Sequence, residues 1–348
     1  MRLRAWYAEY VASLKAVELE EWLDLVLYRP LAFLVTKVVA PTPITPNQIS
    51  VASLFFGLLA GWLLWVGSTE AAVLAAASYF VCNVLDCADG QLARLRGKPS
   101  PFGYIVDGSI DYLASVAVFV GMAHHLTLQR PGEHNWYVIA TAAGLSYAWQ
   151  CALLDRKRHE WSHRIYDKRR DTAAEIAFFK EHLLLYREQR SHRFDRFLIW
   201  VYLTYMGVWT RLTPQNQNHE ASAKEPSPAL WAQSNRPVLR LALLLGPTFQ
   251  MSLIMVCATL KSLHIYLFGA LTLGNLIGLF VVAMNLASQR RLSRLASAER
   301  TGVDGASSSL GSRGDAREGF GRGVAKRAGA VRALQELGDE LGEELGAP

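Results

Sequence analysis

Four aspartates, Asp86, Asp89, Asp107 and Asp111, fall inside a stretch that is otherwise strongly apolar. In a helix, residues three and four apart share a face, so Asp86 with Asp89, and Asp107 with Asp111, each project two carboxylates the same way. Arg96 to Gly103, with Pro99 and Pro101, reads as a tight turn that makes the two helices antiparallel neighbours. The four carboxylates then face one another about one or two turns into the bundle. Like charges in an apolar setting repel and lose hydration, so they stay ionised only with cations between them. Hard divalent ions with oxygen ligands, Mg²⁺ or Mn²⁺, suit such a set. Gly90 and Ala93 continue the Asp86 stripe and keep it clear of bulk, and Arg94 adds a planar cation suited to a phosphate. Small residues at this spacing also let membrane helices approach closely, which explains Gly90 and Ala93 but not the aspartates.

The elements that must position these residues are apolar helices. Of 348 residues, 51% are hydrophobic, and the mean hydropathy is positive. That points to an all-α integral membrane protein. The uncharged run 46–67 and the apolar stretches 71–97, 103–126, 134–155, 238–260 and 262–288 are each long enough to cross a bilayer, which takes about 20 apolar residues. The expected fold is a six-transmembrane-helix bundle. Thr45 followed by Pro46 is an N-cap and first-turn pair opening the first span. Residues 1–41, mixing Trp6, Tyr10 and Trp22 with Arg2, Arg4 and Lys15, read as an N-terminal interfacial amphipathic helix. The Met-Arg-Leu-Arg start is not followed by an apolar core with a small-residue cleavage site, so no cleaved signal peptide is expected.

Residues 42–295 form the expected membrane domain, interrupted at 156–237 by a cytoplasmic helical insertion. Two helices are expected in it, the second, 197–209, lying on the membrane, before a polar loop at 213–236. Residues 296–348 read as a flexible cytoplasmic tail. The links at 67–71, 127–133 and near 261 carry at most one basic residue each, whereas Arg94, Arg96, Lys98, Arg156, Lys157, Arg158, Arg164, Arg290, Arg291 and Arg294 mark the other ends. Positive-inside bias then puts the aspartates and both termini in the cytoplasm, with the protein in the inner (cytoplasmic) membrane. The net charge of +6 is explained by anionic lipid, and no nucleic acid partner is expected. Cys82, Cys87, Cys151 and Cys257 have no paired spacing and read as buried free thiols.

Asp86-x2-Asp89-Gly90-x2-Ala93-Arg94-x8-Gly103-x3-Asp107-x3-Asp111 resembles the complete signature of the CDP-alcohol phosphotransferase (CDP-alcohol phosphatidyltransferase) family. The likeness extends over roughly residues 20–290, apart from the insertion. It implies that Asp86, Asp89 and Asp107 bind two divalent metals, with Asp111 also at the metal site and acting as the base that deprotonates an acceptor hydroxyl. Gly90, Ala93 and Arg94 would receive the cytidine diphosphate part of the donor, and Gly103 would sit close to it. The implied reaction transfers a substituted phosphate from a CDP-linked donor to a hydroxyl, releasing CMP. A site beside a bilayer favours CDP-diacylglycerol, with CDP-choline or CDP-ethanolamine and a diacylglycerol acceptor as the alternative. Arg156 and Arg158, with Arg236 and Arg240, are candidates for the phosphate of an acceptor such as inositol phosphate or glycerol phosphate. As topology signals or contacts to lipid headgroups they are equally well explained. The resemblance also implies a homodimer.

Two other readings compete. His159-Glu160-Trp161-Ser162-His163 is a formal H-E-x-x-H match, the zinc protease pattern. It sits among Arg156, Lys157, Arg158 and Arg164, whose charge opposes both a metal and a glutamate base. Alternatively the carboxylates could line the ion path of a transporter. No inverted repeat is evident, and the aspartates lie near one face of the membrane.

Overall fold

The computed structural model describes residues 2–14, 16–97, 101–166, 172–188, 196, 199–200, 203–204 and 227–309, with side chains omitted at 2–5, 101–109, 172–175, 187–188 and 295–309. The chain divides into two compact units, Met1–Leu292 and Ser293–Pro348. No strand occurs among the described residues, and six helical segments are long and apolar enough to cross a membrane: Pro46–Val66, Thr69–Leu95, Ile110–Gln129, Trp136–Tyr166, Pro228–Thr259 and Leu263–Arg294. The protein is an all-α integral membrane protein.

Local chemistry sets the first two spans. Thr45 and Gln48 form a reciprocal capping box, Pro46 occupies the first turn of α3 (Pro46–Val66), and Gly67 ends it in the left-handed conformation at φ 82°. Ser68 at once caps α4 (Thr69–Leu95), accepting from the Ala71 N–H at 3.1 Å. A two-residue connection therefore forces α3 and α4 together. Ser53 and Ser78 lock them by donating to the Cys82 and Phe56 carbonyls at 3.0 and 2.8 Å. The third span belongs to α5 (Pro101–Gln129). A Cβ on Gly61 would lie 2.6 Å from the Ala117 backbone, so α3 and α5 cross in direct backbone contact. Opposite this seam, Val51, Phe55, Leu58, Trp62 and Trp65 recur every three or four residues and are all exposed. That stripe is the lipid-facing side of α3.

The later spans are irregular. The fourth belongs to α6 (Trp136–Tyr166). The fifth breaks at a 3-10 turn, Leu243–Leu245, before Pro247, and the sixth contains a π-helical turn, Ala270–Gly274. Buried amides bridge these breaks. Gln150 donates to the Ala270 carbonyl and to Asn275, and Gln250 donates to Gln150 and to the Leu245 carbonyl, at 2.9 to 3.1 Å. Carbonyls freed by the irregular turns thereby gain partners they could not find in lipid.

Several boundaries differ from expectation. Residues 1–40 are not one helix. α1 (Arg2–Ser13) and α2 (Arg29–Val39) are separated by a 3-10 turn, Val17–Leu19, and a π-helical turn, Asp24–Tyr28. The fourth helix runs on to Tyr166, eleven residues past its expected end at 155, because Lys157 bonds Glu160 and Asn285 and Trp161 is buried against Trp231. The expected loop at 213–236 is already helix from Pro228, capped by Ser227. Within the insertion, the first expected helix is α7 (Thr172–Glu188). The second, at 197–209, is described only at residues 199–200 and 203–204, which are helical. All four cysteines are free, Cys82 and Cys87 buried as expected but Cys151 and Cys257 only partly. Of the expected tail, the described residues 296–309 continue the helix Asn275–Ser309, and the rest lies outside the described residues.

Candidate active site

Asp86 and Asp89 stand on the C-terminal half of α4 and Asp111 on α5, as their spacing requires. Asp89 is 5% exposed, Asp86 half-buried and Asp111 exposed. The side chains of Gly103's neighbours and of Asp107 lie outside the described residues. Ser50, one turn into α3, donates its hydroxyl to Asp89 Oδ2. This partner was not foreseen, although Ser50 follows the Thr45-Pro46-Asn47 helix start by one turn and faces α4 through the close α3–α4 connection.

Arg94 is half-buried. Its Nε donates to the Ser13 carbonyl at 2.5 Å, and its Nη2 is buried without a hydrogen-bond partner. A Cβ on Gly90 would stand 3.4 Å from Arg94 Nη1, so the missing side chain leaves one face of the guanidinium uncovered. A buried, unpaired guanidinium nitrogen beside cleared space fits an anionic oxygen. Arg96 has a different task. Its guanidinium donates to the Ile44, Thr42 and Ala40 carbonyls at 2.6, 2.8 and 3.2 Å, closing the C-terminal end of α2.

Polar groups from the N-terminal segment support this end of α4. Thr36 donates to the Ala88 carbonyl at 3.2 Å, and Gln91 donates to the Arg29 carbonyl at 3.2 Å. Arg29 pairs with Glu20 at 3.1 Å. Asp24 accepts from Thr248 at 3.0 Å, and the Cys87 thiol lies 3.8 Å away. Glu21, 2% exposed, accepts from the Phe249 N–H at 2.8 Å at the start of the helix Pro247–Thr259, and meets Arg158 at 3.4 Å. Burial pushes the Glu21 carboxyl up to about 7, outweighing Arg158, and burial also raises Asp24.

The four candidate acceptor arginines separate into two kinds. Arg158 donates to the Leu19 carbonyl at 2.8 Å and pairs with Glu21, while Arg236 pairs with Glu18 at 3.0 Å. The N-terminal stretch 18–21 therefore joins these two, whereas Arg156 and Arg240 are exposed. In the H-E-x-x-H stretch, Glu160 is paired with Lys157 at 2.6 Å. The insertion also reaches the site's surroundings: Phe179 of α7 and Ile199 are buried with Ile110, the residue before Asp111.

Among the described residues no three His, Cys, Asp or Glu side chains form a group that could hold a metal ion. The donor set nevertheless fits one chemically. Asp86, Asp89 and Asp111 offer carboxylate oxygens only, the ligands of Mg²⁺ and Mn²⁺, and a carboxylate buried as deeply as Asp89 needs positive charge near it.

A family model described as CDP-alcohol phosphatidyltransferase matches residues 43–209. The match takes in the first four spans and also residues 156–209 of the insertion, a part outside the expected likeness. The chain is similar to an archaetidylinositol phosphate synthase of Pyrococcus horikoshii, 36% identical over 87 residues, 25% of this chain and 45% of that protein. It is also similar to a bifunctional IPC transferase and DIPP synthase of Rubrobacter xylanophilus, 30% identical over 115 residues, 32% of this chain and 26% of that protein. The chain thus spans less than half the length of these curated relatives. Residues 43–209, which hold every position of the aspartate signature, are thus similar to the CDP-alcohol phosphatidyltransferase family.

Proposed function

We propose that the chain is a membrane phosphotransferase of phospholipid synthesis, moving a phosphatidyl-type group from a CDP-linked donor, CDP-diacylglycerol, to an acceptor hydroxyl with release of CMP. The observation that carries this is the paired carboxylates Asp86 and Asp89 on the stripe that continues through Gly90 to the half-buried Arg94, with its unpaired Nη2. Gly90 and Ala93 leave space for the nucleotide, and Arg94, braced by Ser13, holds a donor phosphate oxygen, with Gly103 nearby. Two Mg²⁺ or Mn²⁺ ions, held by Asp86, Asp89, Asp107 and Asp111, would neutralise charge on the phosphoryl and leaving oxygens. Asp111 takes the proton of the acceptor hydroxyl as its oxygen bonds to phosphorus. The bond from phosphorus to the CMP oxygen breaks, and CMP leaves as the anion.

The acceptor is a polyol phosphate of the inositol phosphate kind. Support comes from the similarity to the archaetidylinositol phosphate synthase of Pyrococcus horikoshii, and from the basic side chains Arg156, Arg158, Arg236 and Arg240. The protein acts as a homodimer in the inner membrane, with the aspartates and both termini cytoplasmic, the side favoured by the Lys and Arg distribution. Residues 1–41 serve as the cytoplasmic interfacial segment, 42–295 as the catalytic membrane domain, and 296–348 as a tail.

The test is CMP release by purified protein with Mg²⁺ or Mn²⁺, CDP-diacylglycerol and a panel of acceptors. Turnover with inositol phosphate or glycerol phosphate, abolished in Asp111→Asn, is the expected result. Turnover with free serine or inositol alone would remove the polyol phosphate while keeping the reaction, and normal turnover by Asp111→Asn would remove the assignment of Asp111 as base.

A further inference from the structure

The end of the bundle away from the aspartates contains a cavity of about 190 Å³. Thr69, His125, Gln129, Arg130 and Lys261 supply its polar lining, the other walls are apolar, and no carboxylate lines it. Seventeen residues of one helix separate Thr69 from Asp86, roughly 25 Å of rise, so nothing seated there touches the aspartates.

Three features point to a ligand. His125 is 6% exposed, yet its Nδ1 is buried with no hydrogen-bond partner. A histidine held this way leaves a ring nitrogen waiting for a complementary atom. Lys261 has φ 58°, the one positive value at a non-glycine position among the described residues. It directly follows the helix Pro247–Thr259 and Leu260, where the left-handed conformation is ordinarily left to glycine. A lysine retained there despite the strain keeps an ammonium at the cavity wall. Arg130 brings a guanidinium, and its partner Glu133, 3.1 Å away, is solvent-exposed and outside the lining. Glu70, the other acid near Lys261, is also outside it.

An ammonium and a guanidinium around one small volume, with the unpartnered imidazole nitrogen beside them, match a tetrahedral oxyanion, whose several oxygens can accept from both cations. We propose that this cavity binds a phosphate group, from a phospholipid headgroup or from free phosphate at that membrane face. The site is independent of the transfer chemistry at the other end.

Native mass spectrometry of the detergent-purified full chain separates the sources when phosphatidylglycerol is compared with diacylglycerol, which has the same tails and no phosphate. A parallel melting experiment uses sodium phosphate against sodium chloride at equal ionic strength. The variants are Lys261→Gly, which relaxes the left-handed backbone while removing the charge, and Arg130→Gln. Retention of phosphatidylglycerol over diacylglycerol, weakened roughly tenfold or more in either variant, supports a lipid-borne phosphate. A melting shift with phosphate in the wild type, lost in the variants, supports the free anion. Lys261→Gly should melt no lower than wild type without ligand, and if it does, Arg130→Gln decides. Equal retention of both lipids together with no phosphate shift, or phosphate and lipid binding unchanged in both variants, overturns the proposal.

Discussion

At the far end of the bundle the spans are joined by short turns, Gly67–Ser68 between α3 and α4 and Leu260–Ser262 between the last two spans. At the aspartate end, by contrast, polar groups are gathered from across the chain: Asp24 meets Thr248 and Glu21 meets Phe249, 224 and 228 residues away. The difference follows from what each end contains. Short turns satisfy their own backbone groups locally, as Gly67 and the Ser68 cap do between α3 and α4. A carboxylate such as Asp89 or Glu21, buried in a bundle of apolar helices, must instead draw donors from wherever the fold brings them.

That contrast can be tested by removing one group at a time. Asp111→Asn is expected to lower CMP release by about 10²- to 10⁴-fold, the range for loss of a general base. Arg130→Gln, a comparable loss of charge at the far end, should leave the rate of CMP release at its wild-type value. Ser50→Ala should weaken Mn²⁺ binding by about 10- to 100-fold through a misoriented Asp89, read by the electron paramagnetic resonance of free Mn²⁺, with Ser50→Thr restoring much of the affinity. Unaltered Mn²⁺ binding in Ser50→Ala would show that the hydrogen bond to Asp89 is structural only.

Gly61→Leu tests the packing of α3 on α5 between the two ends. Overpacking should cost about 1–3 kcal/mol, seen as a lower melting temperature, while activity per folded molecule is kept. The smallest expected effect is that of Glu21→Gln. The folded Glu21 carboxyl titrates at about 7 against an ordinary value of 4.5. The folded protein therefore holds a proton that the unfolded chain releases, so this contribution to stability is full below the ordinary value and declines as pH rises toward 7. Glutamine cannot ionise, and the melting temperature of Glu21→Gln should fall less than that of wild type between pH 5 and 8.

Much of the fold was legible because a membrane helix must satisfy its backbone internally and present apolar side chains, which sequence records directly. The first span was placed to within a residue because Thr45, Pro46 and Gly67 are local signals. The start of the fifth was not. Ser227-Pro228 carries the same cap and first-turn pair, but it lies in polar sequence, and only the burial of Trp231 against Trp161 makes that segment part of the bundle. The amphipathic N-terminal segment was visible, whereas its two breaks were not, since they follow from Glu20, Glu21 and Asp24 turning inward.

By itself the sequence determined the membrane class, the six spans, and the stripe of Asp86, Asp89, Gly90 and Arg94 that helical periodicity places on one face. Only the tertiary structure decided that Ser50 holds Asp89, that Ser13 braces Arg94, and that Glu18 and Glu21 engage Arg236 and Arg158. It alone brought His125 and Lys261 to one cavity. Periodicity is a property of neighbouring residues, while the partners of a buried charge are fixed by which helices touch, and no local signal encodes that.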